Sequence, residues 1–284
     1  MKKEMLKKLD ARLAKGEISE ELYNEIVSRY EDEEEDIGED LEVEVDIGKK
    51  DEEVSKDEKK EEKTKRVSIS GASKIDGCNC EIFSASGASK VAGDLRADDA
   101  DVSGATKIEG DAYFGKLDSS GSLKVMGKSE GEKLDLSGAA KFEDDVKVDV
   151  IDSSGSFKAK GNVDCSSMSA SGAIKIHGVL RGDIALKVSG NSKVKKIEGG
   201  DVMVESGGSR YFSFGFGKSG SLEVESISGD DIYLENTKAE SVTGDKVVIG
   251  PGCKIENVKA KDLKVHESAT VENKKTLKEI EKSS

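Results

Sequence analysis

Apolar and polar residues alternate in short bursts along most of this chain, and the bursts return at a fixed period. One apolar row reads Val67, Phe83, Ala100, Leu117, Leu134, Ile151, Met168, Leu186. Two residues on, a second reads Ile69, Ala85, Val102, Ser119, Leu136, Ser153, Ala170, Val188. A third holds Ile75, Val91, Ile108, Val125, Phe142, Ala159, Ile176 and Val194. A last apolar stretch holds Leu95, Ala112, Val146, Val163 and Leu180, then Ala97, Phe114, Val148 and Cys165. Alternation at period 2 turns one face of an extended strand inward and the other outward. Between the second and third rows stands a recurring phrase of Ser-Gly, a small residue and Lys. Its glycines are Gly71, Gly87, Gly104, Gly121, Gly138, Gly155, Gly172 and Gly190, and a lysine lies three residues after each.

That period decides the architecture. Three short strands and three corners in about 17 residues predict an all-β fold, a right-handed parallel β-helix or triangular solenoid. The hand follows from the crossover rule for parallel strands. A helical solenoid is excluded: apolar spacing is two, glycine is too frequent, and the period is too short for a helix pair. The corner glycines are expected to supply backbone angles that a Cβ would oppose. After Val194 the phase loosens, and Val202 and Val204 read as one more strand. Alternation resumes at Leu222 with shorter coils that align Ile227, Val242 and Val258; Ile232, Val247 and Leu263; and Leu234, Ile249 and Val265. About twelve coils at ~4.8 Å each would give a rod of about 55–60 Å.

Outside the coils the pattern changes. Residues 1–31 read as a short helical hairpin, with Met5, Leu6, Leu9 and Leu13, then Leu22, Ile26 and Tyr30, at helical spacing around Gly16. Residues 32–65 are dominated by Asp, Glu and Lys and read as an acidic disordered linker. The alternation Leu41 to Val45 within it is compatible with one strand. Regular coils are expected over 66–204, an aromatic and glycine-rich loop over 205–221, further coils over 222–272, and a tail over 273–284.

Composition narrows the function. Of 284 residues 37% are charged and 4% aromatic, with no Trp, which suits a thin repetitive core. The net charge of −14 argues against a general nucleic-acid-binding role. No stretch approaches the ~18 apolar residues of a membrane span. Nor does the charged opening Met1-Lys2-Lys3-Glu4 resemble a signal peptide. A cytoplasmic protein is expected, with Cys78, Cys80, Cys165 and Cys253 as reduced structural thiols.

Candidate chemistry is sparse. The lysine row, Lys74 to Lys193, would stack into a cationic stripe. It reads either as a polyanion or anionic-membrane surface, or as a solvated ladder balanced by Asp101, Asp118, Asp135 and Asp152. Gly215-Phe216-Gly217-Lys218-Ser219-Gly220 echoes phosphate-binding loops, but the P-loop glycine position is Phe212 and a strand, not a helix, follows. Tyr211, Phe212, Phe214 and Phe216 crowd the same loop, either folded back on the coil or exposed to a membrane surface or a subunit. Cys78-Asn79-Cys80 lacks further clustered ligands, so no metal site is assigned. No catalytic constellation and no cofactor site is found.

The repeats, such as Ser103-Gly104-Ala105-Thr106-Lys107-Ile108-Glu109-Gly110, resemble the bactofilin family of polymer-forming cytoskeletal proteins. The likeness covers about 66–194 and, more loosely, 222–272. It implies a β-helix with disordered flanks that forms filaments end to end without nucleotide. Leu13 to Tyr23 resembles the short helical oligomerisation module called SHOCT. The resulting expectation is a non-enzymatic scaffold that partners with itself, using Val67, Ile69 and Ile75 at one end and Val258, Leu263, Val265 and Val271 at the other. The alternative is a membrane-peripheral adaptor using the aromatic loop and the N-terminal helices. A carbohydrate-active β-helix enzyme is a third reading, without a residue cluster to support it.

Overall fold

The computed structural model describes residues 63–207 and 220–276, together with the backbone of 43–46. The expected helical hairpin, most of the acidic linker, the four aromatics Tyr211, Phe212, Phe214 and Phe216, and the last part of the tail lie outside the described residues.

Twenty strands are formed among those residues. β1 (Val43–Asp46) precedes β2 (Thr64–Ile69) and β3 (Ala72–Ile75). The regular coils then alternate an eight-residue strand with a four-residue one. These are β4 (Cys78–Ala85), β5 (Ala88–Val91), β6 (Leu95–Val102), β7 (Ala105–Ile108), β8 (Ala112–Ser119) and β9 (Ser122–Val125). They continue as β10 (Ser129–Leu136), β11 (Ala139–Phe142), β12 (Val146–Ser153) and β13 (Ser156–Ala159). Longer, bending strands follow: β14 (Val163–Val188), β15 (Asn191–Glu198), β16 (Asp201–Ser206), β17 (Ser221–Leu234), β18 (Thr237–Ile249), β19 (Lys254–Val265) and β20 (Thr270–Thr276).

Each strand from β2 on pairs in parallel with the strand one coil away, so the described chain is an all-β parallel solenoid of about twelve turns of about 17 residues. Each eight-residue strand serves two segments. In β6 the burial pattern has two successive exposed residues, Asp98 and Asp99, between inward pairs. The ladder to β8 skips Asp98, which marks a corner. Three inward-facing segments per coil therefore match the three bursts read from the sequence.

The register stacks like on like. Ala100 pairs with Leu117, Leu117 with Leu134, and Leu134 with Ile151. All of the first two apolar rows are buried, including Ser119 and Ser153. In the shorter coils Ile227, Val242 and Val258 align as expected, and so do the rows through Leu263 and Val265. Phe142 and Phe157 sit side by side in the core, ring centroids 5.4 Å apart. Burying each such side chain contributes roughly 1.5–3 kcal/mol. One further inward row carries Ser73, Ser89, Thr106, Leu123, Ala140, Phe157, Ile174 and Ser192, directly before the lysines. Its mixture of hydroxyls and large apolar groups hides it from a hydropathy reading.

The corner glycines are required for a different reason from the expected one. Gly71, Gly87 and Gly172 do adopt positive φ. Gly104, Gly121, Gly138 and Gly155 do not. Their constraint is close stacking: a Cβ on Gly138 would lie 1.9 Å from the carbonyl oxygen of Gly121. A second corner carries a polar ladder. Asp94 Oδ1 accepts from the Asp111 N–H (2.9 Å), Asp111 from the Lys128 N–H (2.8 Å), Asp145 from the Asn162 N–H (2.7 Å) and Asn162 from the Val179 N–H (2.9 Å). Each side chain reaches one coil forward and satisfies a backbone donor that the bend takes out of the sheet ladder. The glycine before each receiving residue leaves the room: a Cβ on Gly161 would meet Asp145 Oδ1 at 2.4 Å.

The interruption after β16 is an insertion within one coil. β16 runs to Ser206, β17 starts at Ser221, and Asn191 pairs with Ser221, so the parallel ladder resumes in register there.

Candidate functional site: the solenoid ends

A parallel solenoid satisfies its backbone everywhere but at its ends, where one edge of the outermost strand lacks a partner. At the N-terminal end β1 runs antiparallel along β2, with Val45 opposite Val67 and Val43 opposite Ile69. Val67 is 9% exposed and Ile69 2%. The uncapped first segment expected at these two residues is thus occupied by a strand from the acidic linker. The alternation at Leu41–Val45 was its only sequence signal. The edges left without a strand among the described residues are β3, where Ile75 is half-buried, and the start of β4 at Cys78 and Asn79.

The C-terminal end is barer. Val258 is not terminal: it is buried between Val242 and the row position of Lys274 on β20. Leu263 and Val265 pair back to Val247 and Ile249, and among the described residues nothing pairs on their far side. Val271 pairs back to Ile255 on the last strand. Leu263, Val265, Ala269 and Val271 are only partly buried against the core, whereas Ile249 and Val247 one coil inward are at 0%. An apolar cross-section and two free strand edges therefore coincide. Lys274 occupies an inward row where every earlier described member, from Cys78 to Val258, is uncharged. A charge there opposes stacking on that one segment and leaves the Leu263–Val265 and Thr270–Val271 segments as the adhesive part.

The flanks carry ion-pair ladders. The lysine row is continuous in register from Lys74 to Lys193 and then meets Glu223. Its acidic partners are not the expected aspartates. Glu109 takes Lys107 at 2.6 Å and Lys90 at 3.0 Å. Glu143 takes Lys141, Lys160 at 2.5 Å and Lys124 at 3.7 Å. Hydrogen bonds from Lys107 and Lys90 hold the Glu109 carboxyl down at about 2, and those from Lys141 and Lys160 do the same for Glu143. Asp118 and Asp135 instead pair with Lys116 and Lys133 on their own strands, 2.7 and 3.0 Å away. A glutamate two residues beyond the lysine, on the same face of the strand, was the signal available in sequence.

The thiols divide in two. Cys165 Sγ donates to the Arg181 carbonyl at 3.1 Å and Cys253 Sγ to the Leu234 carbonyl at 3.3 Å. Burial pushes the Cys165 thiol up to about 12 and raises Cys253 as well. Cys78 and Cys80 face each other, Sγ to Sγ 2.7 Å. His177 and His266 are exposed, and among the described residues no group of three or more His, Cys, Asp or Glu is placed to hold a metal ion.

No family model matches the chain, and no solved structure does. Two proteins of Bacillus subtilis (strain 168) share a stretch with it. "Uncharacterized protein YhbF" is 44% identical over 75 residues, which is 26% of this chain and 30% of that protein. "Uncharacterized protein YhbE" is 49% identical over 57 residues, 20% of this chain and 24% of that protein. The chain thus matches less than a third of the length of either relative, and neither printed name carries an activity.

Proposed function

We propose that this chain is a bactofilin-like structural protein, a right-handed β-helix that assembles with copies of itself through its solenoid ends, without enzymatic activity and without nucleotide. The observation that carries the reading is the C-terminal end. There, half-buried Leu263, Val265 and Val271 lie beside strand edges that have no partner among the described residues. Full burial of each side chain against another copy would contribute on the order of 1 kcal/mol, and pairing of the free edges would add to it. The flanks support the same reading. Several of their lysines are matched by carboxylates within ladders, and the strongly shifted acids Glu109 and Glu143 owe their shifts to neighbouring surface lysines rather than to a cleft. Lateral adhesion is thereby discouraged while axial adhesion is left open.

Sedimentation velocity of the full chain over a hundredfold concentration range, at low and high salt, tests the proposal. Mass should rise with concentration and persist in high salt, since the contact is apolar and backbone-mediated. A chain that sediments as a monomer throughout overturns it.

A further inference from the structure

We propose that Cys78 and Cys80 form a reversible dithiol–disulfide site at the N-terminal end of the core, closed by exchange with a small-molecule disulfide of the glutathione class. Both side chains lie on inward rows: Cys78 stacks on Leu95, and Cys80 on Ala97. Their sulfurs are 2.7 Å apart, longer than the ~2.05 Å of a disulfide but close enough to bond after a small side-chain rotation. The two differ in access. Cys80 is at 0% exposure, with Thr64 paired on its outer side, whereas Cys78 is half-buried and no described strand covers its outer side.

The asymmetry assigns roles. Cys78 is the thiol that an external disulfide can reach, and its hydrogen bond with Cys80 pulls it below its ordinary range while the Cys80 thiol is raised by the same contact and by burial. Cys78 is therefore the attacking sulfur and Cys80 the resolving one. In the first step the Cys78 thiolate attacks one sulfur of the external disulfide, and one small thiolate leaves. In the second, Cys80 gives up its proton and attacks the Cys78 sulfur of the mixed disulfide, and the second small thiolate leaves. Two protein thiols are oxidised and one external disulfide is reduced to two thiols.

The bond so formed would be labile. Residues two apart on a strand have Cα atoms about 6.6 Å apart, near the upper limit of ~6.8 Å for a disulfide. Closure strains the strand, and strained disulfides are the readily reduced, regulatory kind. Cys165 and Cys253 differ in every respect that matters: each is isolated from other thiols, tied to a backbone carbonyl and held protonated by burial.

The test uses the full chain equilibrated in graded mixtures of reduced and oxidised glutathione, quenched by alkylation and read by peptide mass spectrometry. The peptide covering 75–90 should lose two hydrogens in step with the oxidised fraction and regain them with dithiothreitol, while Cys165 and Cys253 stay alkylatable. In Cys80→Ser, glutathione should remain trapped on Cys78; in Cys78→Ser, Cys80 should take up at least tenfold less. The wild-type arm stands without any variant, so a misfolded variant does not rescue the idea. A peptide that stays fully reduced even in excess oxidised glutathione alone overturns the proposal. So does wild type that accumulates the same unresolved adduct as Cys80→Ser.

Discussion

Replacing Asp145 by alanine probes how the corners hold successive coils in register. Asp145 Oδ1 accepts from the N–H of Asn162, one coil on, at 2.7 Å in a partly buried corner. Removing the carboxylate leaves that donor to whatever water can reach it. A hydrogen bond to a charged group is worth roughly 1.5–3 kcal/mol, and partial exposure places this one near 2 kcal/mol. Because solenoid coils are stabilised by their neighbours, the loss should be local. Native-state hydrogen exchange is the fitting assay: about 2 kcal/mol corresponds to roughly 30-fold faster exchange of the Asn162 amide. Amides two coils away should change little. Asp145→Asn is the control. Asn162 already does the same work for the Val179 N–H at 2.9 Å, so an amide oxygen at 145 should keep most of the protection. The reasoning is refuted if Asp145→Ala leaves Asn162 exchange unchanged, or if Asp145→Asn loosens it as much.

Three further outcomes are expected. Gly138→Ala drives a Cβ to 1.9 Å from the Gly121 carbonyl oxygen, so it should cost more than about 4 kcal/mol or abolish folding by circular dichroism; Gly71→Ala, with open space but φ of +70°, should cost only about 1 kcal/mol. The Ser129 hydroxyl is fully buried with no hydrogen-bond partner among the described residues, so Ser129→Ala should raise stability by about 1 kcal/mol in urea titration. The depressed carboxyls of Glu109 and Glu143 mean that the unfolded chain binds more protons below the ordinary carboxylate range. Stability should therefore fall as pH drops from about 5 towards 2, and Glu109→Gln with Glu143→Gln should flatten that fall in thermal melts.

Much of the solenoid was legible because a parallel coil forces like residues into register. The row through Leu117, Leu134 and Ile151 could be read at a spacing of 17 with no knowledge of the partner strand. Partnerships between coils were less legible. The aspartate row was close to the lysines in sequence, yet the carboxylates that reach them belong to Glu109 and Glu143, which share their outward face. The corner ladder from Asp94 to Asn162 was missed because an aspartate at a turn looks merely soluble until the next coil's N–H is seen above it. The glycines were identified as essential for φ, whereas at Gly104 and Gly138 the cause is the carbonyl of the previous coil. At the ends, four residues of the acidic linker gave little sign that they would cover β2. The surfaces that matter most for function lie where the repeat stops, and there repetition no longer informs.

Negative-stain microscopy of wild type beside Val265→Arg with Val271→Glu tests the self-assembly reading most directly. Both side chains are half-buried at the open end, so the variant's fold should survive, with circular dichroism as the check. The account predicts elongated multimers of wild type and single short particles of the variant at equal concentration. Multimers of unchanged length in the variant, or wild-type particles no longer than one solenoid, would contradict it.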